Sequence, residues 1–203
     1  MFYSPLGILA YKIILLENWR TGKINSFYQQ AEIDLLDVKL QSEIYASGNF
    51  NCEFAKQENI EFANRIYEEA KILDRYDAAS RLTDTLKLQH KKYDILRASL
   101  LLNSIKTREK CNASYSNVLY IYKYDEPRID LKAKQNVFSR LLLELKQEKG
   151  DDVLLIPMAG DVGVSSIEMI LNKYNVSQEE LPVILINEEI KITDLQTIEE
   201  LRT

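Results

Sequence analysis

The sequence predicts an α+β chain: an N-terminal helical hairpin or coiled-coil region followed by an α/β domain. Three observations predict it. Apolar side chains recur at steps of three and four through residues 26–108, the repeat of a helix face. Neither Gly nor Pro occurs between Asn49 and Pro127, so nothing there interrupts long helices. From Asn117 onward, short β-rich runs alternate with helical patterns and turns, as in an α/β unit. The boundaries follow as 1–24, an apolar N-terminal segment; 25–112, the helical hairpin or bundle; and 113–203, the α/β domain.

The chain has 203 residues and a net charge of −5. Residues 1–116 carry 16 basic and 15 acidic side chains, and residues 117–203 carry 10 and 16. Neither part has the concentrated positive field that phosphates require, so nucleic acid is not an expected partner. The chain has two cysteines, Cys52 and Cys111, and one histidine, His90. These three cannot make a four-ligand zinc site unless a carboxylate joins them. His90 has no carboxylate or thiol beside it in sequence, and we expect neither a metal nor a cofactor.

Residues 1–16 are largely apolar, interrupted by Lys12 and ended by Glu17. A spanning helix needs about 20 apolar residues, and the segment lacks the basic start and small-residue cleavage site of a secretory signal. Three readings stay open. It is the remnant of an anchor, an interfacial helix with Trp19, Arg20 and Lys23 at headgroup level, or a helix packed on the protein. Membrane attachment is favoured, because Trp and basic residues after an apolar run are the usual flank of an anchor.

The first long helix is expected over 26–45, with Ile33, Leu36, Leu40 and Ile44 as its core stripe and Ser47-Gly48-Asn49 as its stop. A second is expected over 53–73, with Phe62, Ile66, Ala70 and Leu73 inward. A turn over 74–77 would follow, Asp77 capping the next helix. The third, over 78–108, carries a heptad-like seam of Leu82, Leu86, Gln89, Tyr93, Leu96 and Leu100. Such seams make a homodimer through the helices an expectation, and a structural coiled-coil spacer an alternative function. Cys52 precedes the second helix and Cys111 follows the third. An antiparallel hairpin would bring them to one end, and a Cys52–Cys111 disulfide would imply an oxidising compartment. The third helix reads longer than the second, so a bend or overhang is needed to bring the Cα atoms within about 7 Å. The alternative is two thiols in a reducing cytoplasm. Asn112-Ala113-Ser114 and Asn175-Val176-Ser177 match the N-glycosylation pattern, about as often as chance provides.

Residues 117–124 read as a buried strand, Val118, Tyr120, Tyr122 and Tyr124 on one face and Leu119 and Ile121 on the other. A helix over 131–149 follows, with Val137, Leu141, Leu142 and Leu145 inward and Gly150 at its end. Residues 153–156 form the second strand, ended by Pro157. Residues 159–163 hold two glycines but lack the spacing and Gly-Lys-Ser/Thr ending of a phosphate loop, so they are a turn. Ser165 to Glu168 reads as a capping box. Leu181-Pro182 enters a third strand, paired back through 190–192. Thr193 to Gln196 reads as a second capping box, opening a terminal helix.

This order, with Pro182 before the third strand, resembles the thioredoxin-like superfamily over about 85 residues. The resemblance implies a cis peptide bond at Pro182. Where redox members carry two cysteines, this chain has Tyr124-Asp125-Glu126-Pro127-Arg128. Thiol–disulfide exchange needs an attacking thiolate, so no oxidoreductase activity is carried over. The whole arrangement also resembles uncharacterised archaeal membrane-anchored proteins with a helical hairpin and a C-terminal thioredoxin-like domain. Together these imply a non-catalytic binding or scaffolding protein on the extracytoplasmic face of a membrane. Its partner would be a protein or extended peptide, held by strand addition at Tyr124, Asp125, Glu126, Pro127, Leu181 and Pro182. An enzyme using the loop carboxylates Asp125, Glu126 and Asp161 is the alternative.

Overall fold

A computed structural model describes the backbone of residues 5–79, 84–194 and 197–201. It is α+β, with three long helices first and a four-stranded mixed sheet after them. The helices are α1 (Pro5–Ser47), α2 (Cys52–Ala79) and α3 (Asp84–Cys111). Then come β1 (Ser116–Tyr122), α4 (Ile129–Lys149), β2 (Val153–Ala159), α5 (Ser165–Lys173), β3 (Val183–Ile186) and β4 (Ile190–Ile192). Among the described residues, no helix is long and apolar enough to cross a membrane.

α2 and α3 run antiparallel, since Tyr93 donates to Glu69 and Asn59 donates to Thr107 at the opposite end. α1 runs parallel to α3, because Glu32, Ser42 and Tyr45 meet Lys92, Lys106 and Lys110 in rising order. The turn expected over 74–77 is instead helical, and Asp77 lies within α2. The break between α2 and α3 falls on residues outside those described, as does Leu82. Both helices therefore have 28 residues, and no overhang separates their ends. Cys52 and Cys111 form a disulfide with Cα atoms 5.4 Å apart.

The expected stripe on α1 is reversed. Ile33, Leu36, Leu40 and Ile44 are exposed, while Ala31, Asp34, Val38 and Tyr45 are buried. The reason is the character of α3's facing side. It offers Asn103, Lys106 and Lys110, which bond the Val38 carbonyl, Ser42 and the Tyr45 carbonyl. A narrow, partly polar contact of this kind selects small and hydrogen-bonding groups rather than the largest aliphatic ones. On α3 itself, Gln89, Tyr93, Leu96 and Leu100 are buried as expected.

The sheet order is β2-β1-β3-β4. β1 and β2 are parallel, and β3 is antiparallel to both β1 and β4. Period-two alternation gives the sheet two cores. Val118, Tyr120 and Ile184 pack on Phe138, Leu141, Leu142 and Leu145 of α4 and on Leu201 of a final 3₁₀ turn. Val137 is only partly buried there, with Phe138 beneath it. Leu119, Ile121, Leu154, Ile156, Met158 and Val183 pack on Ile167, Ile170 and Leu171 of α5 and on Phe62, Ile66, Leu96 and Leu100 of the long helices. Helices and sheet thus share one core.

β2 runs through Pro157 to Ala159 rather than ending at Pro157. It is an edge strand, so a proline whose nitrogen faces outward breaks no ladder bond. Two features support that direction: Gly160 N bonds Tyr122 O across the sheet, while Ala159 N turns out to Asp94. The box at Ser165 makes no side-chain cap; Val164 is the N-cap residue of α5. The second box reaches Leu195 and Gln196, outside the described residues, and a 3₁₀ turn over Ile198–Leu201 follows. The Leu181–Pro182 bond is cis. The β3–β4 turn holds Asn187 and Glu188 at positive φ. Arg108 donates to both of their side chains, and Asn117 donates to Glu188.

Candidate functional site

The six residues expected to form a peptide surface do not share one exposed face. Leu181 and Pro182 are buried. Leu181 closes over Gly160, where an added Cβ would lie 2.9 Å from Leu181 Cδ1. The Leu181 side chain therefore belongs to the core and not to an exposed face. Asp125 and Pro127 are exposed, Tyr124 is half-buried, and Glu126 is turned inward.

The loop carboxylates are occupied by the loop itself. Asp161 accepts from the amides of Tyr124, at 2.8 Å, and Asp125, at 3.4 Å. Glu126 accepts from Arg128 N at 3.0 Å and lies 3.7 Å from the Lys123 ammonium. The bond from the Arg128 amide, with Lys123 and the Arg128 guanidinium nearby, holds its carboxyl below the usual glutamate range. Among the described residues, no three Cys, His, Asp or Glu side chains converge on a point where a metal could sit.

Beside this loop is a cleft of about 380 Å³, within the range of ligand sites. It lies where the outer edge of the sheet meets α4 on one side and α2 with α3 on the other. β1 supplies Tyr120 and Tyr122, and the residues after it supply Lys123 and Tyr124. β2 supplies Leu155 and Pro157. α4 contributes Gln135, Asn136 and Ser139, and the long helices contribute Tyr67, His90 and Arg97.

Each wall is held in place by contacts that can be named. Tyr120 and Tyr122, two apart on one strand, stack with centroids 5.5 Å apart. Tyr120 donates to Gln135 O. Burial pushes its phenol up to about 12, against a smaller opposite effect from Ser139. The Gln135 amide accepts from Lys123 N and donates to Lys123 O, clamping that backbone to α4. The Tyr124 ring meets His90 at 4.6 Å. On the α3 side, Arg97 donates to Asp94 at 2.9 Å, and Asp94 also accepts from Ala159 N. Burial raises the Asp94 carboxyl, opposed by Arg97, the Ala159 amide and His90.

Among the described lining residues there are four tyrosines and three basic side chains, and no carboxylate. Such a wall can stack a planar group and offer N–H donors to an anion, although Arg97 and Lys123 already face Asp94 and Glu126. Its three basic members come from α3 and from the residue after β1, so only the tertiary fold assembles it. The sequence held one trace of it: Tyr120, Tyr122 and Tyr124 on one face of a strand, where wholly buried positions would ordinarily take Val or Ile. Asp94 and Arg97 gave no comparable signal, since an i, i+3 pair on a helix is ordinary on a solvated face.

No protein-family model, curated protein or solved structure matches the chain.

Proposed function

We propose that this protein is a non-catalytic binding module with a redox-inactive, thioredoxin-like C-terminal part, working at the extracytoplasmic face of a membrane. Its partner is an extended peptide of a larger protein. The observation that carries the binding reading is the tyrosine-walled, basic cleft, opening beside exposed Asp125 and Pro127. A peptide crossing the Tyr124-to-Arg128 loop would seat one aromatic or acidic side chain in the cleft.

The thioredoxin-like reading is supported by the strand order β2-β1-β3-β4 and by the cis bond entering β3. The disulfide supports an oxidising location. The binding reading is favoured over an enzyme because Asp161 and Glu126 are spent on their own loop, and the described residues that line the cleft include no carboxylate.

The test is selection from a displayed peptide library followed by calorimetry. Selected peptides should be rich in aromatic and acidic residues. Tyr122→Ala and Tyr124→Ala should each weaken the selected peptide by about tenfold, the loss of one ring's contact. Undiminished affinity in both variants, with folding intact, would remove the cleft from the proposal.

A further inference from the structure

The outward face of α1 carries Ile33, Leu36, Leu40 and Ile44, exposed by 59%, 65%, 59% and 51%. They recur at steps of three, four and four, on the opposite side of the helix from Ala31, Val38 and Tyr45. This is a second apolar stripe on a helix whose first stripe is already packed. Tyr11 and Leu15 lie on the same side nearer the N-terminus, separated from the stripe by exposed Gly22, Ser26 and Gln29. Contiguous exposed apolar surface like that of the stripe marks an interaction face.

We propose that a second copy of this chain covers it, α1 against α1, antiparallel and centred on Leu36. Two observations choose the occupant. The stripe is bordered by Glu32, Asp37 and Glu43 with Lys39 as the one basic side chain among them, and acidic borders repel an anionic lipid surface. An antiparallel pair about Leu36 leaves one like-charge contact, Asp37 beside the second copy's Asp37 next to the axis, and pairs opposite charges on the other flank. It sets Leu36 on the second copy's Leu36 and Ile33 beside the second copy's Leu40. It brings Glu32 opposite the second copy's Lys39, and by symmetry the reverse. Parallel pairing in the same heptad frame would instead face Glu32 with Asp37, a like-charge contact. The self-complementary patch is what a two-fold interface requires. Glu32 already accepts from Lys92 of its own chain at 2.9 Å, so the second copy's Lys39 would complete a three-member ion network.

Sedimentation of the full chain tests this. The wild type should run at twice the monomer mass, and Leu36→Glu should run as a monomer with an unchanged circular dichroism spectrum. Glu32→Lys and Lys39→Glu should each weaken the dimer about tenfold through the two symmetric pairs, and the double exchange should restore it. Leu36→Cys should crosslink to itself on mild oxidation, because the axis passes through that position. A monomeric wild type would overturn the proposal, whether or not it binds vesicles or another protein. So would a dimer indifferent to the charge exchange, or one in which Leu36→Cys fails to crosslink.

Discussion

Opening the Cys52–Cys111 bond should be among the most costly small changes to this protein. The bond closes a loop with a sequence separation of 59. In the chain-entropy treatment, such a loop restricts the unfolded chain by about 14 cal/mol/K, or about 4 kcal/mol at 25 °C. The folded side offers little to offset this, because the Cα separation of 5.4 Å is in the ordinary range for a disulfide. The helices it joins are aligned by Asn59 with Thr107 and Glu69 with Tyr93, irrespective of the bond. The Cys52→Ala/Cys111→Ala variant should therefore keep the wild-type fold and lose stability. With a urea slope of about 2 kcal/mol/M, its midpoint falls by about 2 M. Equilibrium unfolding followed by circular dichroism, for the oxidised wild type and the variant, is the assay. A midpoint shift under about 0.5 M at equal slope would refute the loop-entropy reasoning. So would a shift produced by a changed slope, since that reports a changed unfolded or native surface.

Three further outcomes are expected. Asp94→Ala leaves the buried Arg97 guanidinium without its carboxylate and should cost about 3–5 kcal/mol, whereas Asp94→Leu/Arg97→Met should recover most of that loss; a double-mutant cycle from urea midpoints measures it. Gly160→Ala drives a methyl to 2.9 Å from Leu181 Cδ1 and 3.0 Å from Ile121 Cγ2, both buried, and should cost about 1–3 kcal/mol; thermal unfolding that matches wild type would show that the neighbours yield. Burial raises the Glu69 carboxyl above its ordinary 4.5, against a smaller lowering by the Tyr93 hydroxyl. A raised folded value means that this group's stabilising contribution is complete below the unfolded value and lost as pH rises through the folded one. The wild type should therefore lose ground to Glu69→Gln between about pH 4 and pH 7, and paired urea titrations at the two pH values that show no such widening would contradict it.

The C-terminal half was more legible in the sequence than the helical half. Strands alternate with period two and carry β-branched and aromatic residues. Val118 with Leu119, Val153 with Leu154, and Val183 with Ile184 therefore declared a sheet buried on both faces, as found. Pro182 at the strand entry and the second apolar run over 190–192 placed the hairpin. In the helices, periodicity located the helix but not its inner face. α1 has two competing stripes, and the more apolar one lost. What decides is the opposite surface, here Asn103, Lys106 and Lys110, which a local pattern does not contain. The extension of α2 past Asp77 has a similar cause. Asp and Arg are turn-compatible but also helix-compatible, and no Gly or Pro forces the break. The cleft was the least legible element, because Tyr67, His90 and Arg97 reach Tyr122 only through the packing of α2 and α3 on the sheet edge.

That packing also changes what the loop at Tyr124 to Arg128 can be. In a lone α/β domain, the loop and the residues before β3 would form one open rim. Here α3 sets His90 against Tyr124, while Leu181 seals Gly160 from beneath. Asp161 and Glu126 tie down the loop's backbone, so the half-buried ring of Tyr124 is held between the sheet and the long helices. A ligand reaching this end therefore meets side chains of α2 and α3 together with those of β1 and α4. If it binds in the cleft, its selectivity is written jointly by the two halves of the chain. Neither half, cut from the other, would carry a complete wall.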